Sequence, residues 1–289
     1  MVSVRAVDKL LVLLVMEVGV DRRRLLGLLA LGAAQTIVSC GAQAPVPRPV
    51  SGSSRAKAVA PPRPVVSPPP LPPIPAPSPG TARQVFEVSG PGRNIVLTVD
   101  DGYDKATVAA YVRFCVDTGI HLTFSPNGVY AAEWDPHAAV LRPLIARGQV
   151  QIVNHTYSHA NLRALSSAGI RREVTRNDLW VQRTFGITTR PWLRPPYGYR
   201  NGRTDAVAGE LGYTRTLLWN GTLGDSAVIS PQTLLAQARR YLQPGTIMLG
   251  HANPPTVTHL YDQLVTLIRD RQLTPLTLDE AFGTSRATG

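Results

Sequence analysis

The sequence predicts an α/β domain, built as a parallel sheet or a (β/α) barrel, preceded by an export segment and a proline-rich linker. Strand-like and helix-like segments alternate from residue 94 to residue 276, the pattern of repeated βα units. The ionisable residues of chemical interest fall at or just after the C-terminal ends of the strand-like runs, the face that carries the chemistry in barrels. Residues 45–79 hold 14 of the 26 prolines and no acidic residue, so they cannot bury a core and the folded part lies downstream. The predicted organisation is an export segment over 1–40, an extended linker over 41–83 and a domain over 84–289.

Arg22, Arg23 and Arg24 precede the apolar run from Leu25 to Val38, which has signal-peptide length and is short for a transmembrane helix. Arg-Arg followed by Leu25-Leu26 is similar to a twin-arginine export signal. The run ends Ile37-Val38-Ser39-Cys40, similar to a bacterial lipoprotein cleavage box in which Cys40 becomes the lipidated first residue. Residues 1–15 are unlike a signal, and Met16 would be the more usual start. The expected location is the cell envelope, anchored in the membrane through a lipid at Cys40, or otherwise secreted.

The net charge of +11 is unevenly spread. Residues 40–83 carry five basic groups and no acid, whereas 84–289 carry 20 basic and 16 acidic groups. The basicity therefore belongs largely to the linker and suits a tether near an anionic envelope. No basic helix or RNA-binding aromatic motif accompanies it, which argues against a nucleic-acid partner. Of the two cysteines, Cys115 falls in a helix-like segment and is expected to be a small buried apolar group, so no disulfide framework is available. A domain of this size can stand alone, and a monomer is expected.

The elements follow in order. Asn94 to Val99 is a β-branched apolar run ending in two aspartates, and Lys105 to Asp117 has helical spacing. His121 to Phe124 reads as a strand, Pro136 to Ala146 as a helix punctuated by Gly148, and Val150 to Val153 as a strand running into His155. Ser166 to Phe185 is a long helix, Trp192-Leu193 a short strand, and Thr204 to Leu211 a helix closed by Gly212. Tyr213 to Trp219 is a strand, and Pro231 to Leu242 a helix with proline in its first turn. Thr246 to Leu249 is a strand, Thr258 to Asp270 a helix, and Leu273 to Leu276 the last strand.

His155-Thr-Tyr-Ser-His159 puts two imidazoles four residues apart; on a helical turn they would share one face and suit one metal ion. Asp101 supplies a carboxylate, completing a two-histidine, one-carboxylate set of the kind that holds a catalytic divalent ion with a position left open. Its neighbour Asp100 could then accept a proton from a water at that ion. Arg194-Pro-Pro-Tyr197-Gly follows a strand, and the prolines could aim the Tyr197 amide at a developing oxyanion. His251 ends the run Ile247-Met248-Leu249-Gly250. Alone, each of these is more often a turn, a rigid loop or a structural histidine.

Together their order and spacing resemble a known pattern. TVDDG (98–102), HTYSH (155–159), RPPYG (194–198) and IMLGH (247–251) are similar to the motifs of the NodB-homology polysaccharide deacetylases, carbohydrate esterase family four, and the resemblance covers essentially all of 93–280. It implies a distorted (β/α) barrel. It also implies Asp100 as general base, Arg194 holding that base, and Asp101, His155 and His159 as ligands of a divalent metal, zinc first and cobalt or nickel as alternatives. Tyr197 would offer its backbone N–H to the oxyanion and His251 would be the general acid, tuned by Asp225. Leu249 and Trp219 would line the acetyl pocket. One motif departs: in the stretch from Trp219 to Ser226, Thr222 and Ser226 stand where the family usually has an aspartate and a second tryptophan, which bears on substrate preference. Trp134, Trp192 and Tyr199 are further candidates for the groove, with core packing the commoner role for such residues.

The activity implied is hydrolysis of N-acetyl, or O-acetyl, groups on a cell-envelope polysaccharide such as peptidoglycan or an N-acetylglucosamine polymer. Two rivals stand beside it: a NodB-like hydrolase of another acylated substrate, and a non-catalytic glycan-binding module that keeps the barrel. A covalent mechanism finds no support, for there is no Gly-x-Ser-x-Gly elbow and Cys115 has no motif partner.

Overall fold

The computed structural model describes residues 76–284 together with Ile74. The expected export segment, Cys40 with it, and the expected linker up to residue 75 apart from Ile74 lie outside the described residues.

Every strand ladder is parallel. The chain forms β1 (Arg83–Val85), β2 (Asn94–Asp101), β3 (Leu122–Pro126), β4 (Val150–Ile152), β5 (Trp192–Leu193), β6 (Arg215–Leu217), β7 (Gly221–Thr222), β8 (Ile247–His251) and β9 (Thr274–Leu276). One sheet runs β4-β3-β2-β8-β7, with β9 also pairing to the start of β2, and the other runs β1-β6-β5. A lone parallel bridge between Asn154 and Leu193 joins the two at the β4 and β5 edges. The result is a distorted, incompletely closed (β/α) barrel, as the sequence predicts.

The helices alternate with these strands: α1 (Lys105–Thr118), α2 (Ala131–Trp134), α3 (Ala138–Ala146), α4 (Ser167–Phe185), α5 (Gly202–Glu210), α6 (Pro231–Tyr241), α7 (Tyr261–Asp270) and α8 (Leu278–Phe282). Their ends follow local chemistry. The Asp104 side chain accepts from Thr107 N at the start of α1, and Ser166 accepts from Gly169 N at the start of α4; left-handed Gly119 and Gly186 close them. Ser230 caps α6, with Pro231 in its first turn as predicted. Among the described residues no helix is long and apolar enough to cross a membrane.

Strand alternation separates two cores. Ile95 and Val99 of β2 and Met248 of β8 face the helix layer, packing with Val108, Leu144 and Val181. Val96 and Ile247 face the other way, into a small cluster with Val153, Trp192 and Leu217 that plugs the barrel. Register then carries the inner face upward from apolar to polar: Thr98 pairs with Leu249, and Asp100 with His251. Cys115 is fully buried, and burial pushes its thiol up to about 12, so it behaves as the predicted small apolar group.

Three elements differ from what the sequence predicts. The strand expected over 213–219 is shorter, Arg215–Leu217, and a two-residue β7 follows it. The helix expected from Thr258 begins as a 3₁₀ turn, Pro255–His259, and continues as α7 from Tyr261. Contacts of the domain also begin before residue 84: Gly80 N donates to Gly209 O at 3.0 Å, and β1 starts at Arg83.

Candidate active site and metal centre

Adjacent residues on a strand point to opposite faces, so Asp100 and Asp101 should diverge. They do not, because Asp101 takes a left-handed backbone with φ 69°. Both carboxylates then reach His155, whose Nε2 lies 3.6 Å from Asp100 Oδ2 and 3.3 Å from Asp101 Oδ1. The turn is braced from two sides. Asn253 Nδ2 donates to Asp101 Oδ2 at 2.8 Å, its Oδ1 accepts from Gly102 N, and Trp134 Nε1 donates to Asp101 O at 3.0 Å. Gly102 has φ 107°, and a Cβ there would stand 2.2 Å from Trp134 Nε1, so only glycine fits.

The His155–His159 segment corrects one expectation. It is an irregular loop rather than a helical turn, with Thr156 at φ 66° and His159 at φ 57°. Three buried amides set this path and compete with helix formation. Asn127 Nδ2 donates to the carbonyls of His155 and Thr156, Asn154 Oδ1 accepts from Thr156 N, and Asn177 ties Asn154 to Gly128 N and Pro126 O. From α4, Glu173 Oε2 accepts from Ser158 N at 2.8 Å and the Arg176 guanidinium covers the Tyr157 ring.

His155 Nδ1 donates to Arg194 O at 2.7 Å, since a carbonyl only accepts; Nε2 therefore presents its lone pair to the cluster. His159 Nε2 lies 3.4 Å from the same Asp101 Oδ1. The three ligand atoms fall within 4.8 Å of one another. Asp101 Oδ1 is buried and has no hydrogen-bond partner. Two ligand atoms each about 2.1 Å from a tetrahedral zinc are about 3.4 Å apart, and the oxygen–nitrogen spacings here match. The donor set and the orphaned oxygen thus fit a divalent ion.

Burial alone would raise the Asp101 carboxyl, but the neighbouring His155, then His159 and His251, hold it well below the usual range. His155 is raised, because Asp100 and Asp101 outweigh its burial. Burial and the neighbouring His155 push His159 down, toward the neutral form a metal requires.

Arg194 is fully buried; its Nη1 donates to Asp100 Oδ2 at 3.1 Å and its Nη2 to Thr98 Oγ1 at 2.9 Å. The other Asp100 oxygen, Oδ1, is buried without a hydrogen bond. Trp219 closes the far side of Arg194, its ring centroid 5.3 Å from the guanidinium carbon, and packs against Gly198. Across the β2–β8 ladder, Asp225 Oδ1 lies 2.9 Å from His251 Nδ1 while Oδ2 accepts from His251 N at 3.2 Å. Burial pushes His251 down, but the Asp225 hydrogen bond, followed by the charges of Asp100, Asp225 and Asp101, raises it above its ordinary value. Leu249 is buried two residues earlier, pairing with Thr98 and Thr222.

Tyr197 is left-handed too, at φ 60°. The loop's own turns run from Gly198 N to Pro195 O and from Tyr199 N to Pro196 O, so neither uses the Tyr197 N–H. Its ring lies 4.6 Å from that of His159 and 5.5 Å from that of Tyr199.

All eight predicted catalytic and metal residues therefore converge. Of the further groove candidates, Trp134 and Trp192 are fully buried, the first bracing Asp101 and the second plugging the barrel; Tyr199 alone stays at the surface. Ser226 is exposed. Sequence reasoning missed Asn253, Asn127, Asn154 and Asn177. Asn253 stands two residues past His251, but an asparagine in a loop reads first as a turn former.

Comparison with known proteins bears on the family and the fold. Residues 87–216 match the family model of polysaccharide deacetylases. A chitin deacetylase of Pestalotiopsis sp is 29% identical over 201 residues, 66% of this chain and 64% of that protein, so the chain spans less than two thirds of that relative. A peptidoglycan-N-acetylglucosamine deacetylase of Bacillus cereus is 24% identical over 212 residues, 71% of this chain and 74% of that one. Among solved structures, a carbohydrate esterase family four pseudoenzyme from Bacillus anthracis superposes with TM-score 0.62 at 20% identity, covering 70% of this chain and 69% of that one, which speaks for the fold. The matched residues, the motifs in order and the shared barrel bear out the resemblance to the NodB-homology polysaccharide deacetylases of carbohydrate esterase family four.

Proposed function

We propose that the protein is a metal-dependent hydrolase that removes N-acetyl, or O-acetyl, groups from a cell-envelope polysaccharide such as peptidoglycan or an N-acetylglucosamine polymer. One observation carries the reading: the orphaned, buried Asp101 Oδ1 faces two histidine nitrogens, with Asp100 on one side and a carboxylate-backed histidine across the ladder.

Asp101, His155 and His159 would hold the ion, zinc first, with cobalt or nickel as alternatives. Such an ion lowers the pKa of water and polarises an acyl carbonyl. The rest falls to the protein. Asp100, fixed by Arg194, accepts a proton from the attacking water through its free Oδ1. The Tyr197 N–H, held outside the loop's own turns, donates to the developing oxyanion. His251, charged and oriented by Asp225, protonates the departing amine from Nε2. Leu249 and Trp219 supply the apolar side of the acyl pocket. Export and lipid anchoring at Cys40 complete the proposal: the domain would act at the envelope on a tether, and mass spectrometry of the mature N-terminus tests that part.

The non-catalytic glycan-binding alternative rests on Thr222 and Ser226. It leaves unexplained a buried base held by a buried arginine beside the cluster, which a binding shell does not need. The deciding experiment follows acetate release from N-acetylglucosamine oligomers and peptidoglycan by the zinc- or cobalt-loaded protein, with Asp100→Asn and His155→Ala beside it. Release lost in both variants upholds the reading. Absence of release from a protein that binds no divalent ion would put the binding module in its place.

A further inference from the structure

Tyr103 and Tyr130 stand beside the centre and take no part in the chemistry above. Tyr103 follows Asp101 by two residues and is 52% exposed. Tyr130, from the turn after β3, meets it edge-on with ring centroids 6.0 Å apart. Isolated exposed aromatics need no explanation, but these two hang from the residues that shape the cluster. Tyr103 N donates to Asn253 Oδ1 at 3.2 Å, on the same side-chain amide that clamps Asp101. Tyr130 N donates to Asn127 O at 3.0 Å, on the residue that holds the His155 and Thr156 carbonyls. Burial, then the charges of Asp101, Tyr103 and Tyr197, push the Tyr130 hydroxyl up.

A tyrosine pair of this kind has an apolar face that matches the C–H face of a pyranose and hydroxyls that can pair with sugar hydroxyls. We propose that Tyr103 and Tyr130 form a pyranose-stacking subsite for the sugar unit next to the one being deacylated, so that the substrate is a chain of at least two units rather than a free amino sugar. Tyr197 flanks the cluster on the His159 side, its ring 4.6 Å from that of His159. The position of the reacting unit rests on the deacetylase reading; the binding of the sugar chain does not.

The test compares the full-length protein with Tyr103→Ala/Tyr130→Ala and Tyr103→Phe/Tyr130→Phe double variants, checking melting temperature and metal content in each. The expected result is that the ratio of kcat/KM on the N-acetylglucosamine tetramer to that on a small acetyl ester falls about tenfold in the alanine pair, equivalent to about 1.4 kcal/mol, and is largely kept in the phenylalanine pair. An unchanged ratio overturns the subsite. Calorimetric titration with the tetramer separates the two ideas. Binding about tenfold weaker in the alanine pair, from a protein that releases no acetate, upholds the subsite and defeats the deacetylase reading. Equal binding by wild type and variant, or no binding by either, overturns the subsite.

Discussion

Asp225→Asn isolates what a buried carboxylate does for His251. Asp225 is fully buried and spends both oxygens on that residue, one on Nδ1 at 2.9 Å and one on the backbone N–H at 3.2 Å. A hydrogen bond to a charged group contributes about 1.5–3 kcal/mol, and one pKa unit corresponds to about 1.4 kcal/mol. Replacing the carboxylate with a neutral amide should therefore lower the His251 pKa by about one to two units. Asp100 and Asp101, whose charges also raise it, keep the drop from being larger. The general acid must be protonated, so activity falls as pH rises through this pKa, and the alkaline limb of the kcat profile should move to lower pH by that amount. The stability sign agrees. A raised folded pKa stabilises the fold fully below the unfolded value of about 6.5, and that stabilisation fades as pH rises through the folded value. The melting-temperature deficit of the variant should thus be largest in acid and shrink above neutrality. The assay is acetate release at saturating substrate across pH, with metal content measured alongside. A reduced kcat with an unmoved alkaline limb would refute the assignment of His251 as the acid.

Chelation should lower the melting temperature and zinc should restore it, with about 2.7 kcal/mol of stabilisation expected when free ion stands 100-fold above its Kd; differential scanning calorimetry with and without chelator reads this. Arg194→Met leaves Asp100 buried without its cation, and losing one partner of such a pair costs about 3–5 kcal/mol, so urea unfolding should show a large drop together with loss of acetate release. Gly102→Ala places a methyl 2.2 Å from Trp134 Nε1 at φ 107°, so both stability and metal affinity should fall, measured by thermal melting and metal titration.

Much of this was legible because it obeys short-range rules. The alternation of βα units survives, since Asn94 to Val99 is a β-branched apolar run and Ser166 to Phe185 a long helix with ordinary caps. β7 was not legible, because Gly221-Thr222 carries no apolar run to mark a strand, as Trp192-Leu193 of the equally short β5 does. His155 and His159 were found by a spacing that suggests a helical turn, yet the loop that unites them is made by Asn127, Asn154 and Asn177, residues distant in sequence from one another. Asn253 stayed hidden for the same reason: its role depends on Asp101, on the neighbouring strand and 152 positions away. First-contact residues announce themselves by chemical type, whereas the groups that aim them are ordinary amides whose meaning appears only with the fold.

The two adjacent aspartates show why that aiming matters. On an extended strand one of them would face the helix layer, and the cluster would lose either its proposed carboxylate ligand or its proposed neighbouring base. The left-handed turn at Asp101 brings both to one side, at a cost of about 1–2 kcal/mol for a non-glycine residue. The Asn253 and Trp134 hydrogen bonds, each contributing about 1 kcal/mol, are of the size needed to offset it. Among the described residues five non-glycines have positive φ, and four of them, Asp101, Thr156, His159 and Tyr197, belong to this site. Strain of that kind persists only where surrounding contacts over-determine it. Its concentration here, beside a carboxylate oxygen left without a partner, is more economically explained by a centre shaped for an ion and an acyl group than by a barrel retained as a passive shell.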